Sequence, residues 1–323
     1  MKSKRRTSKN KKKVIAFILF LISFIFVITA VSVAIVGFSY MDNRDFRETF
    51  YSVSSLKTNN KIRIIQISDL HDCTYGEENS KLIDRVGKLN PDVIILTGDC
   101  INADSETIDN VVNLCSAFAE IAPSYYIYGN NEVEKYYDYL LTEEAIDAEF
   151  GFDSSNRNPQ KLLEIRDPLT EKLEEVGVIV LKNSADTITV GDTNVDIYGV
   201  LTSNPSAFWS YAGESFSDYI YTSENNIKIT AVHEPFIFET YEPEFWGDLM
   251  LAGHTHGGLV KIPVLGALYT PEGGLLPARS GAYVYGRYEV QGRPLIVNAG
   301  LENENIFRIN NEPEIVIIDI NKF

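Results

Sequence analysis

Cysteine is scarce. Cys73, Cys100 and Cys115 are the only three in 323 residues, and so small and odd a number excludes a disulfide framework. Cys73 and Cys100 each follow a candidate site motif closely, and all three read as small core fillers rather than thiolate ligands. Basic residues are also scarce outside one short stretch. Eight Lys or Arg lie before residue 14 and no acid precedes Asp42, which leaves 21 basic against 45 acidic residues for the remainder, a net charge of −24. Such a surface argues against nucleic-acid binding, which wants a basic face, and is consistent with a charge that serves solubility. Histidine is rarer still, with only His71, His233, His254 and His256.

None of those four histidines is scattered. Each follows a short apolar run with the length and composition of a strand. Ile62 to Ser68 leads into Asp69-Leu70-His71, and Ile227 to Val232 leads into His233. Asp248 to Ala252 leads into Gly253-His254-Thr255-His256-Gly257-Gly258, where glycines on both flanks permit a bend and a close approach. Two further runs, Val93 to Thr97 and Tyr125 to Tyr128, lead into Gly98-Asp99 and Gly129-Asn130-Asn131-Glu132. A lone His-x-His is more often a polar loop than a ligand pair. Five strand ends that together present Asp, His, Asp, Asn and three further His change that weighing, because sites of open α/β sheets assemble at the carboxyl ends of strands. The donors exceed what one tetrahedral ion needs. They suit two divalent ions that share a carboxylate, an arrangement used for in-line displacement at phosphorus.

The ordered blocks Asp-x-His, Gly-Asp, Gly-Asn-(His)-Glu, a lone His and Gly-His-x-His resemble the calcineurin-like metallophosphoesterases. Within that superfamily the chain is most similar to the bacterial membrane-associated branch, through Gly253 to Gly258, Ile262-Pro263-x-x-Gly266-Ala267-Leu268-Tyr269, Gly300-Leu301, Arg308-Ile309-Asn310 and Pro313-Glu314-Ile315. The resemblance covers roughly residues 61–323. It implies a four-layer α/β/β/α sandwich of two mixed sheets. It also implies that Asp69, His71 and His256 hold one ion, that Asn130, His233 and His254 hold a second, and that Asp99 bridges them. Manganese is the first choice on that basis, with iron or zinc as alternatives, since mixed nitrogen and oxygen ligation suits all three. The implied reaction is hydrolysis of a phosphoester, of phosphodiester or pyrophosphate type, by metal-activated hydroxide. The substrate could be a lipid headgroup, a wall polymer or a nucleotide. In two places the chain departs from the pattern. Leu259 stands where the branch often has Gln, and Asn131 stands where the family has its catalytic His. An Asn amide can donate a hydrogen bond to a leaving oxygen but cannot deliver a proton near neutral pH. The alternative function is therefore a metal-loaded binding or sensory protein that turns over weakly or not at all.

The rest of the chain sets the context. Residues 1–13 form a basic tail, and residues 14–38 read as an uncleaved transmembrane signal anchor, because Val14 to Gly37 is apolar apart from Ser and Thr. The basic flank predicts a cytoplasmic N-terminus, hence a single-pass protein of the cell membrane with its catalytic domain outside. Residues 39–60 read as a polar stalk. From Lys61 a βαβαβ order predicts a parallel sheet, with helices over Ser80 to Leu89 and over Ser105 to Ile121, the latter capped by Ser105. Closely spaced strands follow from Val178. Residues 133–168 read as an insertion that begins beside the site and can bring Tyr136, Tyr137 or Phe150 to a substrate pocket. The glycine-rich run Thr270 to Gly281 reads as a second loop over it.

Overall fold

The computed structural model describes residues 2–42, 44–136, 167–201, 216, 218–240, 247–270, 273–303 and 308–323. In chain order the helices are α1 (Lys2–Asp42), α2 (Ser80–Leu89), α3 (Asp109–Ile121), α4 (Asn130–Tyr136), α5 (Pro168–Glu175) and α6 (Ile237–Thr240). The strands are β1 (Arg47–Ser55), β2 (Ile62–Ile67), β3 (Val93–Leu96), β4 (Ser124–Ile127), β5 (Ile179–Leu181), β6 (Ser184–Val190), β7 (Thr193–Val200), β8 (Ile227–Val232) and β9 (Leu249–Ala252). They continue with β10 (Lys261–Ile262), β11 (Gly266–Ala267), β12 (Tyr269–Thr270), β13 (Gly274–Leu275), β14 (Gly286–Val290), β15 (Arg293–Val297) and β16 (Glu314–Lys322). Two six-stranded sheets carry the fold, in the orders β1-β16-β2-β3-β4-β5 and β14-β15-β9-β8-β7-β6. Both are mixed. β2 to β5 run parallel while β16 lies antiparallel to β2, and β15, β9, β8 and β7 run parallel between antiparallel edges β14 and β6.

Strands buried on both faces are largely apolar on both; β3 and β9 are wholly so, and β2, β4 and β8 are apolar apart from Arg63, Gln66, Ser124, Lys228 and Thr230. One face of each sheet meets the other sheet. Ile62, Ile64, Val93, Ile95 and Ile127 pack against Val195, Ile197, Ile229, Leu249 and Leu251. The outer face of the first sheet takes α2, α3 and α5 through Leu82, Val86, Leu114, Phe118, Leu169 and Leu173. The outer face of the second takes Phe216, Tyr219, Ile237 and Phe238 over Tyr198, Val232 and Met250. Each such fully buried apolar side chain contributes about 1.5–3 kcal/mol, so the sandwich holds the loops at its rim to a fixed scaffold. The helices obey local rules. In α2, Leu82, Val86 and Leu89 recur on one face and are buried. α5 opens with Pro168 after Asp167, whose carboxylate accepts from Thr170 N at 2.9 Å.

The structure corrects two expectations. The polar stalk over residues 39–60 is not a stalk. Its middle is β1, an edge strand that pairs in parallel with β16 from Arg47↔Glu314 to Ser55↔Lys322. Edge strands are half solvated, so β1 lacks the apolar pattern of the interior strands, and of its side chains only Val53 is buried. The helix expected from Ser105 starts at Asp109. Ser105 Oγ instead bonds the Asp72 carboxylate and accepts from Asn102 N at 2.9 Å, which holds the loop before the helix. Of the insertion expected over residues 133–168, the start in α4 and the end at α5 are described. Tyr137 and Phe150 lie outside the described residues. At the N-terminus α1 is a single helix whose apolar side chains from Ile15 to Val31 are exposed where described. Among the described residues no helix is long and apolar enough to cross a membrane.

Candidate metal centre

The loops that leave β2, β3, β4, β8 and β9 all open at one end of the sandwich. They bring together all seven residues singled out as metal ligands by their position after strand ends. Asp69, His71 and His256 form one group and Asp99, His233 and His254 another, with the donor atoms of each group within 4.8 Å of one another. The Gly-His-Thr-His loop feeds both groups. His254 Nδ1 lies 3.2 Å from His233 Nε2 and 2.9 Å from Asn130 Oδ1, while His256 Nε2 lies 3.7 Å from Asp69 Oδ1. The bend that divides the two rings is strained. Asp69, His71, Asp99, His254 and His256 all have φ between 47° and 73°, a region that costs a side-chain-bearing residue free energy and that clusters at functional sites. Close packing enforces it. A Cβ on Gly253 would come within 1.9 Å of Ser68 Oγ and 2.6 Å of Asp69 Oδ2, and one on Gly129 within 2.1 Å of Asp99 Oδ1.

Asp99 stands between the groups. Its Oδ2 lies 3.1 Å from His233 Nε2 and 3.7 Å from His71 Nε2. Each imidazole is turned by a bond to its other nitrogen. His71 Nδ1 sits 2.9 Å from Asn102 Oδ1, and His233 Nδ1 sits 2.7 Å from Thr97 O. Both Nε2 atoms thereby face the carboxylates, the arrangement in which an outer partner orients a metal-ligating ring. Among the site imidazoles, the buried His71 Nε2 and His256 Nδ1 have no hydrogen-bond partner. Donors that surround one ion at 2.0–2.2 Å are separated by roughly 3–4 Å, which is the spacing between the acids and imidazoles here.

The electrostatics point the same way. Burial alone would lower the His233 imidazole, but Asp99 and Asp69 raise it to about 10. Burial opposes ionisation of Asp99, and His233 and His71 override it and hold the carboxyl well below the usual range. At His256 burial wins over Asp69 and pushes the ring down to about 3. Buried carboxylates that draw protons onto one neighbouring ring while another ring stays neutral form a site short of positive charge. Divalent cations supply that charge and leave the imidazoles neutral, so the donor set fits the metals that the resemblance implies.

Three further residues belong to the site that strand-end reasoning did not single out. Glu132 is fully buried. Its Oε2 accepts from Asp99 N at 2.9 Å and Gly129 N at 2.8 Å, and its Oε1 from Cys100 N at 2.9 Å and Tyr126 OH at 2.7 Å. It thus ties the loop after β3 to the loop after β4. Glu302, also buried, turns Oε2 toward His256 Nδ1 at 3.5 Å and His71 Nε2 at 4.0 Å. Asn102 orients His71. Asn131, expected to face a leaving group, is engaged with the protein. Its backbone N donates to Asp99 Oδ1 at 2.8 Å, its Nδ2 to Asp99 Oδ2 at 2.7 Å, and its Oδ1 accepts from Ala103 N at 3.1 Å. One Nδ2 hydrogen remains for a ligand. The cysteines are buried and part of the core.

A model of the calcineurin-like phosphoesterase family matches residues 62–258, a span that contains both groups of donors, and the chain belongs to that family. It is a metal-dependent phosphoesterase. Among curated proteins it is similar to phosphodiesterase YaeI of Escherichia coli (strain K12), 25% identical over 232 residues that cover 71% of this chain and 70% of that one. It is 27% identical over 271 residues to metallophosphoesterase YkuE of Bacillus subtilis (strain 168), covering 80% and 78%. It is also 24% identical to UDP-2,3-diacylglucosamine pyrophosphatase LpxG of Chlamydia muridarum (strain MoPn / Nigg), covering 80% of this chain and 83% of that one.

Proposed function

We propose that this chain is a membrane-anchored phosphohydrolase with a dinuclear metal centre that cleaves phosphodiester or pyrophosphate-type bonds outside the cytoplasm. The observation that carries the reading is the pair of donor groups on either side of one carboxylate. Asp69, His71 and His256 would hold the first ion, Asn130, His233 and His254 the second, and Asp99 both. Two divalent cations, manganese first, would supply positive charge for the phosphoryl oxygens and acidify water near neutral pH. The protein's own contribution is alignment. Glu132 and Asn131 fix the Asp99 carboxylate from its backbone and from both oxygens. Thr97 O and Asn102 fix the rings of His233 and His71.

The bond type is supported by the relatives named a phosphodiesterase and a pyrophosphatase. The anchor is supported by the continuous helix α1, by the apolar run of residues 14–37 and by the eight basic residues that precede it. The departure at Asn131 favours one second reading, a metal-loaded binding or sensory protein with weak turnover. A screen of the full chain against phosphomonoesters, phosphodiesters and lipid pyrophosphates, with each divalent metal in turn, separates the two. Turnover of a diester or pyrophosphate supports the proposal, and metal binding with no turnover of any class refutes it.

A further inference from the structure

A strand's direction fixes which end of the domain receives what precedes it. β1 pairs in parallel with β16, and β16 runs antiparallel to β2, with Val316 opposite Gln66. The first residues of β1 and β16 therefore lie at the carboxyl end of β2, where Asp69 begins the metal centre. Glu314 makes this concrete. Its Oε2 takes the Arg47 guanidinium at 3.0 Å, and its Oε1 accepts from Ala299 N at 2.9 Å, next to the Gly300 that packs on Asp69. α1 ends at Asp42 and β1 begins at Arg47, so the chain between them can span at most about 18 Å. The helix thus enters the domain at the rim that holds the site.

The same rim carries two small hairpins that grow directly from the His254–His256 loop. β10 pairs with β11 and β12 with β13. Leu268 N donates to Val260 O at 2.8 Å and Leu276 N to Leu268 O at 2.7 Å, so the hairpins are layered outward from the metal loop. Both carry exposed apolar side chains, at the tip of the first and in the strands of the second. Val264 is fully exposed, Leu275 is 73% exposed and Tyr269 53%. Val264 is β-branched yet sits at φ 72°, a costly conformation for such a residue. Arg279 is exposed just after the second hairpin. One ring joins hairpin and anchor. The Arg47 guanidinium lies 5.2 Å and the Lys261 ammonium 3.0 Å from the centre of Tyr285.

We propose that the hairpin side chains Val264, Leu265, Tyr269 and Leu275 dock on the lipid bilayer that holds α1, and that the substrate is an amphiphile presented in that bilayer with its phosphoester at headgroup depth. This rests on the anchored-phosphohydrolase reading. Exposed apolar side chains beside Tyr269 and Arg279 match the boundary between headgroups and acyl chains. A tether of about 18 Å keeps that surface within reach.

The native cysteines are all buried, so a nitroxide can be placed selectively on V264C or on L56C in the full chain, in phosphatidylcholine–phosphatidylglycerol nanodiscs. Leu56 is exposed at the opposite end of β1. Docking predicts that the label at 264 is more accessible to oxygen than to a polar nickel chelate, and the label at 56 the reverse. In parallel, V264E/L275E should lower kcat/KM on a vesicle-embedded phosphoester about tenfold or more and leave a soluble nitrophenyl ester unchanged. A chain that does not float with vesicles overturns the anchor and this proposal together. A chain that floats with the 264 label in water, or shielded from both relaxants by a second protein copy, overturns the docking alone. An equal loss on both substrates overturns the assignment of substrate class.

Discussion

Glu132→Gln isolates the part of the site that the metal donors themselves do not explain. The carboxylate receives Asp99 N and Gly129 N on Oε2, and Cys100 N and Tyr126 OH on Oε1. An amide keeps one acceptor oxygen and turns the other into a donor that faces donors. If the amide nitrogen takes the Oε2 position, two hydrogen bonds to a charged group are lost, at 1.5–3 kcal/mol each, so about 3–6 kcal/mol in all. Against a typical total of 5–15 kcal/mol that is a large share. It corresponds to a fall in melting temperature of roughly 6–15 °C for a domain of this size. The strained φ of 51° at Asp99 is held partly by these bonds, so metal affinity should fall with stability. Thermal melting by circular dichroism with and without added Mn²⁺ measures both. An unchanged melting temperature together with unchanged metal affinity would refute the reasoning that Glu132 is the fastener of the two loops.

Asp99→Asn should leave a folded domain that binds metal more than about 100-fold more weakly, beyond the 10–100-fold typical of supporting partners, as read by calorimetric titration; two ions bound at wild-type affinity would contradict the bridging assignment. Glu302→Gln should weaken one of the two binding events by about 10–100-fold and spare the other, since Oε2 faces His256 and His71 of the first donor group; equal loss at both events would deny it that local role. Asn131→His restores a proton donor, worth about 10²–10⁴-fold to a poor leaving group, but removes a bond to Asp99 worth about 1.5–3 kcal/mol. The prediction is that kcat/KM for an alkyl phosphodiester rises relative to that for a nitrophenyl one, and an unchanged ratio would mean that another group already supplies the proton.

The strands that carry the site were legible because they are buried on both faces. Val93 to Leu96 and Leu249 to Ala252 have the continuous apolar run that such burial demands, and Ile62 to Ile67 is apolar apart from Arg63 and Gln66. The ends of those runs told where Asp69, His71, Asp99, His254 and His256 would meet. β1 was not legible, because a solvated edge strand needs little apolar pattern and its partner Glu314 is 267 residues away from Arg47. Glu302 and Asn102 escaped for a related reason. Neither sits in a motif, and each acts only through a ring brought to it by the fold. Glu132 was visible as the end of the Gly-Asn-Asn-Glu turn, but its role depends on backbone amides of the β3 loop that no spacing in sequence reveals. The strain at the site was foreshadowed only by its glycines. That His254 and His256 themselves take positive φ, and so point to different donor groups, follows from the crowding around Gly253 and Asp69.

The most direct test of the central claim is to strip the full chain of metal and titrate Mn²⁺ back, following bound ions and hydrolysis of a nitrophenyl phosphodiester in the same samples. The account predicts two ions per chain, with hydrolysis absent at the start and complete only when the second ion is bound. Hydrolysis that persists without metal, or a chain that binds no ion at these seven residues, would contradict it.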